Sequence, residues 1–446
     1  MLDYYKDNSQ LFLLLTIWLI VGIVAGPITY ALIPMTMFLM KRQGMFEELF
    51  IGYLFILILS DSLENHLIFA KGVKNVYIST LAIFMFFDLK SFYPFNNLYK
   101  IYIPFFLFAI ITMLTSISDP FIAVCIQKTI SFIISFMIIP NFVTKLYREK
   151  GEQFFKRLVY FLFTTLITGF ILKVIAPGVA SIGTGRYRGV LGNPNGLGLY
   201  AFFTFIVLFV IIDYFPKIFN KYEISIFYLT IFLSILLTGS RNAIISILIF
   251  YMFQRFFKIS PFFGFIMSIV IVVIAEIISS NLSSILTRFG LGQYFRVKTL
   301  DDGSGRYIAW AFAWKHIQQN YFVGKGFSYD EYYMRQHYGE LEKLGHQGGI
   351  HNSYLTFWMD QGLIGLLLYL RSFFIMFLRA AHNTKFAFPI MFSIAFTAFF
   401  ESWLVGSLSA YAFLALLIFT LISSDEINPN ISGTNILQME PLALSE

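Results

Sequence analysis

Charge is what this chain of 446 residues has least of: Asp, Glu, Lys and Arg together make up 13% of it, about half the share in an ordinary soluble domain. That scarcity excludes an ordinary soluble globular protein, for water is not its main solvent. Cysteine is almost missing too. The single Cys125 lies inside the apolar run 122–139, which excludes an intrachain disulfide framework and a cysteine-ligated zinc site. The apolar run that begins at Leu11 lacks the short length and small-residue cleavage site of a secretory signal, so it reads as a retained span. The net charge of +7 does not point to nucleic acid, because a membrane protein collects Lys and Arg in its cytoplasmic loops for topological reasons.

What the chain has in abundance is apolar and aromatic surface. Hydrophobic residues make up 58%, with 55 Phe and 26 Tyr, and the mean hydropathy is +0.73. Much of the aromatic surface must face lipid or lie at the headgroup level. Apolar stretches long enough to cross about 30 Å of hydrocarbon as helix fall near 11–39, 46–61, 74–88, 101–117, 120–144, 158–176, 193–213, 224–238, 241–256, 261–280, 353–377, 386–404 and 407–423. In the first, Ala25, Gly26 and Pro27 mark either a kink or a turn between two short spans. The expectation is an all-α polytopic protein of about 12–14 transmembrane helices. It forms a single membrane domain over 1–423, with an extracytoplasmic cap inserted at 281–350 and a disordered cytoplasmic tail at 424–446.

The cations fix the orientation. Lys41 and Arg42, Lys90 and Lys100, the group from Lys145 to Arg157, Lys217 and Lys221, Arg255 and Lys258, and Arg379 and Lys385 occupy alternate loops, which are therefore cytoplasmic. The loops near Glu64, Ser118, Gly183 and Gly239, and the segment 281–350, then face outward.

Arginines on that outer side run against the positive-inside bias. Arg188 lies in RGVLGNPNGLG, Arg241 in TGSRNA and Arg306 in GSGRYIAW. Each sits at or beside an expected helix N-terminus with glycine nearby, where free backbone N–H groups and the helix dipole favour an anion. A guanidinium adds a forked donor suited to phosphate. Together they describe a receptor for a phosphate or diphosphate, although any one of them alone can simply snorkel to lipid phosphates.

A second constellation, HNSYLTFWMDQGLIG, marks where the outer segment re-enters the membrane. His351 there has the pKa range to take a proton from an attacking hydroxyl, while the pair His351 and Asn352 can also be read as a helix cap. His316, His337 and His346 have no comparable setting. Glu401, near the outer end of its span, is placed to orient His351 or an arginine. Asp301 and Asp302 precede Gly303, Ser304 and Gly305, a turn-like composition, and the arginines already supply the charge a metal would bring. No metal and no cofactor are expected.

TGSRNA, GSGRYIAW and HNSYLTFWMDQGLIG, in that order and on one side of the membrane, resemble the O-antigen ligase and O-antigen polymerase superfamily over roughly 180–410. GNPNGLG is similar to the polymerase branch. The resemblance implies a helical fold like that of GT-C membrane glycosyltransferases, and a glycan donor on undecaprenyl diphosphate in a bacterial cytoplasmic membrane. It also implies metal-independent, inverting transfer at the extracytoplasmic face. By motif, Arg241 and Arg306 would bind the diphosphate, with Arg188 a looser match. His351 would be catalytic, with Asn352 and Glu401 in support.

The expected partners are the lipid-linked donor, a glycan acceptor and the bilayer, with room for a chain-length regulator and none for nucleic acid. Polymerisation of O-antigen, capsule or exopolysaccharide repeats is the leading reading. Ligation to the lipid A core is the alternative. A lipid-linked sugar flippase fits less well, because no internal repeat is evident and the notable residues gather at one face instead of at mid-membrane.

Overall fold

The computed structural model describes residues 2–183, 185–257, 305–346 and 348–428, with 259, 260, 262–264, 266, 267 and 270 between them. The described residues are almost wholly helical. The expected span 261–280, Asp301 and Asp302, and the tail beyond 428 lie largely or wholly outside them.

The ambiguous first stretch is a hairpin. Helices α1 (Ser9–Val24) and α2 (Thr29–Arg42) are joined by a short 3-10 turn over Gly26–Ile28 that contains Pro27. The Trp18 indole N–H donates across the hairpin to Thr36 Oγ1 at 3.1 Å. There follow α3 (Phe46–Asp61), α4 (Ile68–Phe87), α5 (Leu98–Thr115), α6 (Ile122–Lys150), α7 (Glu152–Ile175), α8 (Pro194–Tyr214), α9 (Lys221–Thr238) and α10 (Arg241–Phe257). The cap carries α11 (Arg306–Gln319), α12 (Tyr329–Gln336) and α13 (Tyr338–Lys343). The chain closes with α14 (Ser353–Asn383), α15 (Ala387–Phe400) and α16 (Ala410–Ser423). Among the described residues seven helices are long and apolar enough to cross a bilayer, and α1, α15 and α16 are shorter apolar helices.

α8 is the pillar of the bundle. It is apolar all round, as a helix enclosed by others must be, and 83% of its apolar window is buried. α7, α9, α10 and α16 pack on it. Its glycine-rich start permits that closeness: a Cβ on Gly198 would fall 2.5 Å from the Cβ of Ser240.

The loop contacts separate into two ends. At one, the buried Glu47 carboxylate takes Lys150 at 2.5 Å and Arg157 at 3.1 Å. Arg148 meets Glu426 there at 2.9 Å, and Asn383 donates to Asp425 at 2.9 Å. Residues 424–428 are thus packed against the bundle, and the rest of the expected tail lies outside the described residues. At the other end lie the turns near Glu64 and Gly239, the loop 181–193 and the cap.

The cap is keyed into the bundle at a break in α14. Gly362 has φ 70° and ψ 176° in mid-helix, a backbone open to glycine and costly for other residues. The amides released there are taken up by the cap: Leu363 N–H donates to the Tyr321 carbonyl at 2.9 Å and Ile364 N–H to that of Phe322 at 3.2 Å. Just before the break, buried Asp360 accepts from the backbone N–H of Ser328 at 3.1 Å and of Asp330 at 2.9 Å. Asp360 is thereby an anchor for the cap backbone. Lys128 of α6 reaches Glu331 of the cap at 2.7 Å.

Candidate active site

Three helices that begin at the cap end, α10, α11 and α14, bring their first residues to the segment 397–402. Asn242 of α10 donates to the Thr397 carbonyl at 3.3 Å. Ser353 of α14 donates to the Glu401 carbonyl at 2.6 Å, and the Asn352 N–H donates to Ser402 Oγ at 3.0 Å. Arg306, the first residue of α11, reaches Glu401 Oε1 with Nη2 at 3.4 Å. α8 joins them through Gly198 and Ser240. Helix N-termini concentrate unpaired N–H groups and positive potential, so their convergence prepares this place for an anion.

His351 stands in the middle. Its Nδ1 lies 3.4 Å from Glu401 Oε2, so the two oxygens of one carboxylate face an imidazole and a guanidinium. A carboxylate only accepts. Nδ1 therefore donates, and the Nε2 lone pair is left to take a proton. These distances are long for charge-assisted bonds, as catalytic contacts often are until substrate tightens them. The histidine side chain is 36% exposed, against 15% for Glu401 and 20% for Arg306, so substrate can reach the imidazole while its partners are shielded. His351 holds φ 52°, a conformation uncommon for a residue with a side chain. It is fixed from both sides: Trp310 of α11 donates its indole N–H to the Ile350 carbonyl at 3.0 Å, and the Asn352 side chain caps α14 by accepting from Tyr354 and Leu355 N–H, each at 3.0 Å.

His346, which the sequence gave no reason to single out, lies with its ring 6.2 Å from that of His351. Burial, then the neighbouring His351, hold its pKa below the usual histidine value, which favours the neutral ring. Ser353 and Ser402, also unnoticed in the sequence, lock the start of α14 to the end of α15. The Arg306 guanidinium lies 5.7 Å from the Phe400 ring centre.

The arginines divide into two groups. Arg241 opens α10 next to Asn242, the residue that reaches the Thr397 carbonyl. Arg186, which sequence reasoning passed over, donates from Nε to the Thr238 carbonyl at 3.0 Å and from Nη2 to Asn195 Oδ1 at 2.9 Å. It ties GNPN to the TGSR turn. Arg188 turns the other way: Nε donates to the Val179 carbonyl at 2.9 Å, Nη1 to that of Gly192 at 3.4 Å, and Nη2 meets Glu64 at 2.5 Å. The structure thus gathers Arg306, His351, Asn352 and Glu401, and places Arg188 in a separate cluster.

Fold and site together define a polytopic membrane protein, almost wholly helical over its described residues, with Arg306, Glu401 and His351 in contact at one end of its bundle. Residues 226–370 match the family described as O-Antigen ligase, which supports the resemblance to the O-antigen ligase and polymerase superfamily and a membrane-embedded function in glycan processing. The matched stretch runs from α9 through the cap into α14 and holds Arg241, Arg306 and His351. No curated protein matches the chain.

Proposed function

We propose that the chain is a membrane glycosyltransferase that polymerises oligosaccharide repeats carried on undecaprenyl diphosphate, working at the extracytoplasmic face of a bacterial cytoplasmic membrane. The observation that carries this reading is the Arg306–Glu401–His351 contact set where three helices begin. An acceptor sugar hydroxyl attacks the anomeric carbon of the donor from the face opposite the diphosphate, inverting it. A new glycosidic C–O bond forms, the C–O bond to the diphosphate breaks, and its electron pair leaves with the lipid diphosphate. The hydroxyl proton passes to His351 Nε2, and Glu401 stabilises the imidazolium. Arg241, Arg306 and the helix N-termini hold the charge that grows on the leaving group, a preorganised stabilisation that needs no metal.

Ligation to the lipid A core is the second reading, favoured by the printed description of the matched family. Incubating purified protein with lipid-linked repeats alone separates the two. A ladder of lengthening products is expected. Product that forms only when lipid A core is added would establish ligation instead.

A further inference from the structure

A cavity of about 410 Å³ opens between α1, α3 and α7, within the size range of ligand clefts. Its walls are mostly apolar, with Leu15, Leu19, Ile58 and Leu172 among them, and it runs beside α1 from Phe12 to Ile23, about 16 Å of helix. Thr164, on its α7 wall, has its hydroxyl 2.8 Å from that of Tyr5. One end is rimmed by Arg188, Glu64 and His66. The Arg188 side chain is only 10% exposed, and its three hydrogen bonds leave further donors of the five-donor fork. The groove is therefore a mostly apolar slot with the deeply seated Arg188–Glu64 pair at its mouth, where the remaining guanidinium donors suit the phosphate headgroup of a long-chain lipid.

This groove is not the pocket at His351. α7 and α10 both pack on α8, which stands between them, and with helices spaced about 8–10 Å apart the two places lie on the order of 10–20 Å from each other. Such a separation is what the chemistry asks for. The donor's diphosphate leaves from the reacting carbon and must sit at His351. The acceptor reacts through a hydroxyl at the sugar end remote from its lipid, so its lipid must sit an oligosaccharide's length away. The loop 181–193 spans both places, Arg186 reaching the α9–α10 turn and Arg188 the groove.

We infer that the groove between α1, α3 and α7, with Arg188 at its mouth, seats the lipid tail and phosphate of the acceptor. The inference rests on the transferase reading above. The test uses full-length protein in nanodiscs and a lipid-linked repeat whose polyprenyl tail carries a diazirine. Labelling of α1 and α7 peptides is expected in wild type and in His351→Ala, and its loss is expected in Thr168→Trp and, from the opposite wall, Ile58→Trp. In transfer assays the tryptophan variants are expected to raise KM for the lipid-linked acceptor about ten-fold, since losing two buried methylenes already costs that much. Transfer to a short-tailed, water-soluble acceptor should stay unchanged.

Labelling that persists in both tryptophan variants, or that equal amounts of ordinary phospholipid displace, would overturn the inference. So would equal impairment with both acceptors. Labelling that behaves as expected in a protein that makes no glycan product would sink the transferase reading and leave the lipid seat standing.

Discussion

The Nδ1 of His351 and the Oε2 of Glu401 lie 3.4 Å apart although fifty positions separate the two residues in the chain. A carboxylate in that place selects the imidazole tautomer. The amide of Glu401→Gln can donate to Nδ1 instead, which favours the wrong tautomer and removes the charge that steadies imidazolium. Glycan transfer should fall by about 10²-fold or more, within the range that acid–base groups contribute, while Glu401→Asp retains part of it. Single-turnover transfer at fixed protein concentration is the measurement, and a Gln variant as fast as wild type would refute the coupling.

Arg306→Lys and Arg241→Lys keep the charge and lose the fork. If the arginines stabilise a departing diphosphate, each lysine variant should reduce kcat by about 10²-fold, as removal of one preorganised donor does elsewhere. An effect confined to KM would show that they only bind the ground state.

Gly362 supports the break in α14 where the cap docks. A side chain there is strained by φ 70° and collides with the Phe322 carbonyl and the Gly324 amide. Gly362→Ala should destabilise the docked cap by at least about 1–2 kcal/mol and expose residues 320–330 to protease. Gly349→Ala, where the added methyl meets nothing within 4 Å, should leave proteolysis unchanged.

Cap docking should also depend on pH. Burial, then the neighbouring Glu331, raise the Asp330 carboxyl from 3.8 to about 6, so the docked cap binds the proton more tightly than the released one. Docking strength is therefore full below about pH 4, declines between pH 4 and 6 as the released form ionises first, and stays reduced above 6. Asp360, Glu331 and Lys128 are the charged groups around it. Protease resistance of 320–330 followed across this range should fall with rising pH, and Asp330→Asn should flatten the profile.

Much of this was legible in the sequence because it is local. Hydropathy marks a span within its own twenty residues, and the cations from Lys41 to Lys385 sort the loops without any knowledge of packing. Arg306, His351 and Asn352 stand in short glycine-bordered or helix-starting contexts that can be read where they lie. What is not local escaped. Arg306 and Glu401 meet across ninety-five positions, and nothing near Glu401 announces which partner it takes. Gly362 was visible, but not that Tyr321 and Phe322 fill the break it makes. Arg186 and Arg188 are two residues apart in one loop, and only the packing of that loop against α9 on one side and Glu64 on the other separates their destinations. Asp360 lies in an apolar run, and the cap backbone that satisfies it comes from thirty residues earlier.

The most direct test of the central claim is glycan transfer by purified His351→Ala protein supplied with lipid-linked repeats, with wild-type protein level and thermal stability matched. A loss of about 10²–10⁴-fold in the chemical step, with lipid-linked donor still bound as tightly as by wild type, is the predicted result. Transfer at the wild-type rate would contradict the assignment of the base.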